Sequence, residues 1–397
     1  MALRLPIAIF AVALAALFAW VRDRSNALSI FYANHPDRLV RINTSKSYEI
    51  KFQDRVRNCE DAFLLKEQGL AILACDPGRD KWNTVMGVFH PGQIPQAELY
   101  IYNYAAKNLD DDKILKKLEL VNFPEGLNFH TVGFGYHEES SHLFVTNHAR
   151  TGPRIEQFKL DIRSLKATHI LSILHPQLIS PNAIIPLSAE ELLVTNDHYF
   201  TAKQSKPLYL MESYLGPALA PLLYINLKNI DKGNAKVLAR VPYPNGMGFI
   251  NSTTLAIAST SRGSVYFYSM TKDQHNLPKL QYQSRIRLPF LPDNLAVEDG
   301  KLLIGGQPHP PSMAKYVSIR HICNFPDTLQ GATEEMKDAC NSWSATSWAA
   351  EWSEADGLKD VYAGTEYPTS STFVRDSKRN VAIIVGLYAR GIMVLHE

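Results

Sequence analysis

The sequence predicts an all-β fold, a six-bladed β-propeller preceded by an N-terminal hydrophobic leader or anchor. Three observations carry that reading. A pair of strand-like segments recurs six times, long helical patterns are scarce, and the aromatic content of 10% favours extended chain. The first member of each pair is a short apolar run, at 69–75, 142–146, 191–195, 254–258, 301–305 and 381–385. A fully apolar run of this length reads as a strand buried on both faces. The second member alternates apolar and polar residues, at 98–102, 154–158, 223–227, 264–268, 315–319 and 391–395. Alternation places these strands nearer the solvent. Six copies spaced by ~50–80 residues fit four-stranded blades with loop insertions.

Composition narrows what such a fold can serve. Over 397 residues, Lys+Arg 41 against Asp+Glu 39 leaves a formal net charge of +2. That balance, with 20% charged residues, excludes a nucleic-acid binder, which needs a concentrated basic face. A hydrophobic content of 46% is ample for a core and excludes a disordered chain. Four cysteines are too few for a small disulfide scaffold or a zinc array.

Residues 5–21 carry no charge, with Arg4 before them and Arg22, Asp23 and Arg24 after. The run is at the short end of a membrane span and long for a signal h-region, and no small-x-small cleavage site closes it. Residues 1–24 therefore read as a signal peptide or a retained signal-anchor, 25–53 as a linker, and 54–397 as the propeller. Either leader places the propeller in the secretory pathway, membrane-anchored and facing the lumen or exterior, or secreted. Sequons at Asn43 and Asn251 suit that placement and are the expected glycosylation sites. In an oxidising lumen Cys59, Cys75, Cys323 and Cys340 allow three pairings, of which Cys323–Cys340 is the local option.

Shortly before each apolar run stands an oddly placed polar residue: Glu60-Asp61, His130, Asn182, Asn245 and Asp293-Asn294, with Ser371 and Thr372 in the sixth repeat. In a propeller this offset is the head of the innermost strand, and equivalent positions converge on one axis. A wet polar channel would need no more than water there. Carboxylates and amides dominate the set, however, and they are the hard oxygen donors that Ca²⁺ gathers, whereas zinc asks for more His or Cys. After the apolar runs come Asn147-His148, Asn196-Asp197-His198 and His309, which rim the same mouth. Histidine beside a metal invites proton transfer.

At these residues the chain resembles the serum paraoxonase/arylesterase family, calcium-dependent lactonases built as six-bladed propellers. The longest shared motif is Thr195-Asn-Asp-His-Tyr-Phe200. Asn58-Cys-Glu60-Asp61, Asn128-Phe-His130, Val145-Thr-Asn-His148, Asn245-Gly246 and Asp293-Asn-Leu-Ala-Val297 support it. The resemblance implies a catalytic calcium held by Glu60, Asn182, Asn245, Asp293 and Asn294. It implies a general base, His130, oriented by His148, and a substrate rim that includes Asp197, His198 and His309. It also implies hydrolysis of small lactones or aryl esters, and a second, structural ion at Asp61 and the Val132 carbonyl. The chain departs from the family pattern at Ala183, where an acidic ligand to that second ion is missing, so one tight ion is expected and the second is doubtful. Leu395 replaces a family cysteine. The segment 311–364, with Cys323, Cys340, Trp343, Trp348 and Trp352, is longer than usual. It is expected as an extension of the fifth blade, between its third and fourth strands, on the face opposite the site. A gluconolactonase-like sugar lactonase and a non-catalytic, calcium-stabilised lumenal propeller that binds partner proteins are the alternative functions.

Overall fold

A computed structural model describes residues 4–107, 109–228 and 235–397. Six sheets form the blades, antiparallel except where Glu119–Val121 joins the outer edge of the second blade in parallel, and each innermost strand is followed outward by the next in the chain. The innermost strands are Cys59–Leu65, Phe134–His137, Pro181–Pro186, Pro244–Phe249, Leu291–Glu298 and Ser370–Asp376. The apolar runs form the second strands: Leu70–Cys75, His142–Ala149, Glu191–Asn196, Thr254–Ser259, Lys301–Gln307 and Val381–Gly386. Flanked by sheet edges and sandwiched between neighbouring blades, they bury both faces, and Ile72, Leu143, Leu193, Ile257, Ile304 and Ile383 are fully enclosed. Each such side chain contributes about 1.5–3 kcal/mol, so the wedges between blades hold the ring together.

The ring is closed by its N-terminal part. Strand Ser47–Lys51 pairs with the last strand, Ile392–His396, and places Tyr48 opposite Leu395. Strand Ile42–Asn43 pairs at the outer edge of the fifth blade. The propeller sheets thus begin at residue 42 rather than 54, and backbone hydrogen bonds with the buried Leu395 close the last blade.

The fifth blade corrects two expectations. The alternating segment 315–319 is not a strand: helix α3 (Pro310–Val317) covers most of it, because His309 caps the helix and prolines occupy its first turn. The third strand of this blade is instead Ser347–Ser353, which carries Trp348 and Trp352. The insertion therefore lies between the second and third strands, on the face where the innermost strands start. It is on the site face, not the opposite one. Within it, α4 (Glu334–Ser342) is tied to the short helix Arg320–Cys323 by a disulfide between Cys323 and Cys340. A second disulfide joins Cys59 to Cys75 across the first two strands of the first blade.

A single helix, α1 (Arg4–Ala33), runs through the expected boundary at residue 24. Among the described residues no helix is long and apolar enough to cross a membrane. Residues 9–21 of α1 stand in solvent, with Ile9, Phe10, Val12 and Phe18 all exposed. The second half docks on the site face. Asp23 accepts from Arg262, Arg24, Arg285 and Arg287, while Arg24 donates to the Ser261 carbonyl at 2.8 Å and Asn34 to the Pro289 carbonyl at 2.7 Å. Burial opposes the Asp23 charge, but the hydrogen bonds from Arg262 and Arg24 outweigh it and hold its pKa at about 2. A depressed carboxyl stabilises the fold above its unfolded value of 3.8, and that contribution is lost as pH falls through about 2.

Removing residues 1–21 is expected to leave the melting temperature of the propeller unchanged. Asp23→Ala is expected to lower stability at pH 7 by about 2 kcal/mol, the worth of a charged hydrogen-bonded group, and to expose the chain near Arg24 to protease. Urea unfolding and limited proteolysis check both; an unchanged Asp23→Ala would show that the helix is not anchored there.

Candidate active site at the propeller axis

The innermost strands do not start as regular ladders. In five of the six blades the pairing slips at the head of the strand: between Cys59 and Asp61, Pro181 and Ile184, Pro244 and Met247, Pro292 and Leu295, and Ser370 and Thr372. A β-bulge of this kind adds residues that oppose nothing and re-aims their side chains. The residues inside the slips are Glu60, Asn182-Ala183, Asn245-Gly246, Asp293-Asn294 and Ser371. Three bulges are led by proline, which has no N–H to give to the ladder. The blades pack so closely here that a Cβ on Gly246 would lie 2.5 Å from the Asn294 backbone.

The amides in this ring are oriented by what consumes their N–H groups. Asn245 donates to Asp293 Oδ1 at 2.6 Å and to Thr260 Oγ1 at 3.2 Å. Asn294 donates to Glu60 Oε1 and to Thr372 Oγ1, both at 3.0 Å. Asn182 turns its NH₂ toward Asp197 Oδ2 at 3.4 Å. Three acceptors are left over: Glu60 Oε2, Asn182 Oδ1 and Asn245 Oδ1 are buried and have no hydrogen-bond partner. The sixth blade supplies donors instead, since Ser371 and Thr372 hold the Glu60 carbonyl oxygen at 2.6 and 2.8 Å.

Unpartnered buried oxygens are expensive, and a cation satisfies several at once. Among the described residues no three His, Cys, Asp or Glu side chains form a metal-holding group. The mixed carboxylate and amide set is the one that fits, and it suits a hard ion. Without an ion, the negative charges destabilise one another. Burial, with the charges of Asp293 and Asp61, raises the Glu60 pKa well above the carboxylate range, while Arg79 pulls it back. Burial raises Asp293 to about 7 against hydrogen bonds from Gln307 and Asn245 that lower it.

Asp61, the neighbour expected at a second ion, is differently placed. Its carboxylate accepts from the backbone N–H groups of Ala62 at 2.8 Å and Phe134 at 3.1 Å, and from the Thr372 hydroxyl at 3.3 Å. With Ala183 it lines a separate cavity further along the inner strands, whereas Val132 faces the site cavity. Burial raises Asp61 to about 6 against those hydrogen bonds.

The histidines are not a pair. His148 uses both nitrogens elsewhere, Nε2 on the Pro181 carbonyl at 2.7 Å and Nδ1 on Thr84 Oγ1. The partner that orients His130 is Asp76, 3.2 Å from Nδ1, and His130 Nε2 is buried without a partner. Asp76 also accepts from Gly78 N at 2.9 Å and follows Cys75, so the Cys59–Cys75 disulfide ties it to the strand of Glu60. Asn147 fixes His130 from behind, accepting its backbone N–H at 3.0 Å.

Above the ring lies a cavity of about 240 Å³ whose floor includes Glu60, Asn182, Asn245 and Asp293. Its walls are mostly apolar: Leu28 and Phe31 of α1, Leu210 of α2 (Lys206–Leu215), Met313 of α3, and Met86 and Leu387. None of His130, His148, Asp197, His198 and His309 lines it, and Asn294 lines the separate cavity of Asp61 and Ala183. His309 accepts from Ser312 N at 3.1 Å as the cap of α3, and Asp197 and His198 stand behind α2, bonded to each other at 2.8 Å. Three lining residues were missed in the sequence. Arg79 is buried, with Nη2 on the Thr131 carbonyl at 2.6 Å and Nη1 unpartnered; Gln307 donates to the Ser370 carbonyl; and Ser213 projects from α2. The Asp76-Pro-Gly-Arg79 turn after an apolar strand was the available signal. Asn43 and Asn251 are both exposed.

A family model described as Arylesterase matches residues 98–322. The chain belongs to the arylesterase family. Among curated relatives, this arylesterase-family chain is 29% identical to "Serum paraoxonase/lactonase 3" of Mus musculus over 201 residues, 48% of the chain and 52% of that protein. It is 27% identical to "Serum paraoxonase/arylesterase 2" of Bos taurus over 235 residues, 57% of the chain and 60% of that protein. The chain thus spans about half the length of the curated relatives it matches. The solved structure of a luciferin-regenerating enzyme covers 88% of the chain and 95% of its own with a TM-score of 0.50 at 10% identity, a likeness of fold alone.

A carboxyl raised by folding favours the fold below its unfolded pKa and loses that contribution as pH rises through its folded value. For Asp293 the window runs from 3.8 to about 7. In chelator, Asp293→Asn is expected to be more stable than the parent at pH 8 and equal to it near pH 4, read from urea midpoints. A difference that ignores pH would mean that Asp293 is not perturbed.

Proposed function

We propose that this chain is a calcium-dependent hydrolase of lactones and aryl esters. One observation carries the reading: three partnerless oxygen acceptors, from Glu60, Asn182 and Asn245, meet on the floor of an apolar-walled cavity. Glu60, Asn182, Asn245, Asp293 and Asn294 would hold the ion. Bound calcium supplies a Lewis acid for the ester carbonyl and charge for the developing oxyanion. The rest falls to the chain. The cavity walls seat an apolar acyl or aryl group and keep bulk water out. Asp76 holds the Nδ1–H of His130, which leaves Nε2 ready to accept a proton from water. The names of the relatives support lactone and aryl-ester substrates. Walls of Leu28, Phe31 and Met313 suit a sugar lactone poorly.

One ion is the expected complement. Asp61 spends its carboxylate on two backbone N–H groups and a hydroxyl, and Ala183 brings no oxygen. We place the chain in the secretory pathway, with the exposed apolar half of α1 resting in a lipid surface. The two disulfides and the exposed sequons support this. Flotation with phosphatidylcholine vesicles that is lost on removing residues 1–21 would support the anchor; flotation unchanged by the truncation would refute it.

Chelation is expected to abolish phenyl acetate turnover, and metal analysis after long dialysis to find one calcium per chain. Glu60→Gln is expected to lower turnover by about 10²–10³-fold. His130→Gln is expected to lower kcat by ~10²–10⁴-fold with calcium content unchanged. Full turnover in a stripped sample, or two retained ions, would refute the reading.

A further inference from the structure

A second chemical device opens on the same cavity and is built from none of the residues assigned to hold the ion. Asp197, His198 and Ser213 are hydrogen-bonded in series: Asp197 Oδ1 to His198 Nδ1 at 2.8 Å, and His198 Nε2 to Ser213 Oγ at 2.8 Å. Asp197 is fully buried and held in place by the Ser180 hydroxyl at 2.7 Å. Its carboxylate can only accept, so the His198 proton sits on Nδ1 and Nε2 presents a lone pair. The donor facing that lone pair is the Ser213 hydroxyl. Its other acceptor, the Tyr209 carbonyl at 2.9 Å, belongs to the preceding turn of α2.

Two features fix this geometry. Glu212, buried and adjacent to Ser213, accepts the backbone N–H groups of Tyr199 and Phe200 at 2.9 Å each, which clamps α2 to the chain directly after His198. The His198 ring is held between Tyr209 and Tyr243, with centroids at 4.7 and 4.2 Å. Ser213 is half-buried and lines the cavity, while His198 and Asp197 lie behind it. A hydroxyl in an apolar-walled cavity, backed by an imidazole that a buried acid orients, is the arrangement of an activated nucleophile.

We propose that Ser213 is a nucleophile for ester substrates bound in this cavity, with His198 as its base and Asp197 as the orienting acid. A lone pair of Ser213 Oγ forms the bond to the ester carbonyl carbon while the hydroxyl proton passes to His198 Nε2. The carbon–oxygen bond to the leaving group then breaks, its electron pair leaves with the alcohol oxygen, and that oxygen takes the proton from His198. Water attacks the acyl-serine, gives its proton to His198, and the acid departs as Ser213 Oγ regains a proton. Ester and water become acid and alcohol.

The test is covalent labelling of the full chain with an alkyl fluorophosphonate, which reacts with activated serines, read by intact mass and peptide mapping. Labelling is run with calcium and with chelator, so that loss of calcium-dependent turnover and loss of the adduct are separate results. One adduct per chain, on Ser213 and in either condition, is expected, and Ser213→Ala is expected to abolish it. Ser213→Cys is expected to react with iodoacetamide at least ten times faster than Ser213→Cys combined with His198→Gln. No adduct at Ser213 in either condition, or equal alkylation of the two cysteine variants, would overturn the proposal.

Discussion

A β-bulge at the head of the innermost strand, repeated in five blades, is the constraint on which the site depends. In a regular strand, successive side chains point alternately into the wedges between blades, and a polar residue there would be stranded among apolar neighbours. The bulge breaks the alternation for one or two residues and turns them toward the axis. Its cost is unpaired backbone, which neighbouring blades recover in part: the Thr195 hydroxyl donates to the Asn245 carbonyl at 2.9 Å and accepts from Ala183 N at 3.0 Å. In the blade without a slip, Thr146 instead accepts from Gly133 N and donates to the Gly133 carbonyl, both at 3.0 Å. The hydroxyl of the second strand is thus the support on which the first can bend.

Once the bulges point inward, hydrogen bonding decides which atom of each amide faces the axis. Carboxylates of Asp293, Glu60 and Asp197 take the NH₂ groups of Asn245, Asn294 and Asn182, leaving oxygens from two of those amides and from Glu60 without partners. The roof is set by a second constraint, the entry of three helices onto one face. Helix α1 arrives from the N-terminus, α2 from a loop in the third blade and α3 from the insertion in the fifth, and each lends an apolar side chain to the cavity. A polar floor and apolar walls are therefore products of different parts of the chain.

Much of this was legible in the sequence, for reasons that also explain the failures. The six second strands declare themselves because burial on both faces leaves at least three consecutive apolar residues at the centre of each. The oxygen ring is legible because Glu60, Asn182, Asn245 and Asp293 are polar just where a strand should begin. The segment 315–319 misleads because five alternating residues do not separate a strand from a helix turn, and the prolines at 310 and 311 carry the deciding information. The misplaced insertion follows from that single assignment. The roles of His148 and Asp76 depend on Thr84 in a loop, Pro181 at the head of an inner strand and Gly78 in a tight turn, whose juxtaposition no local pattern encodes. Ser213 reads as one polar position on an amphipathic helix until the fold sets His198 beside it.

For a dication to seat at the axis, the protons carried by its buried carboxylates must leave as it binds. Calorimetric titration of calcium into chelator-stripped protein at pH 7, in two buffers of different ionisation enthalpy, reads that exchange directly. With Asp293 at about 7 and Glu60 raised well above the carboxylate range, one tight site should appear and release about one to two protons per ion. Binding with no proton release, or no tight binding at all, would contradict it.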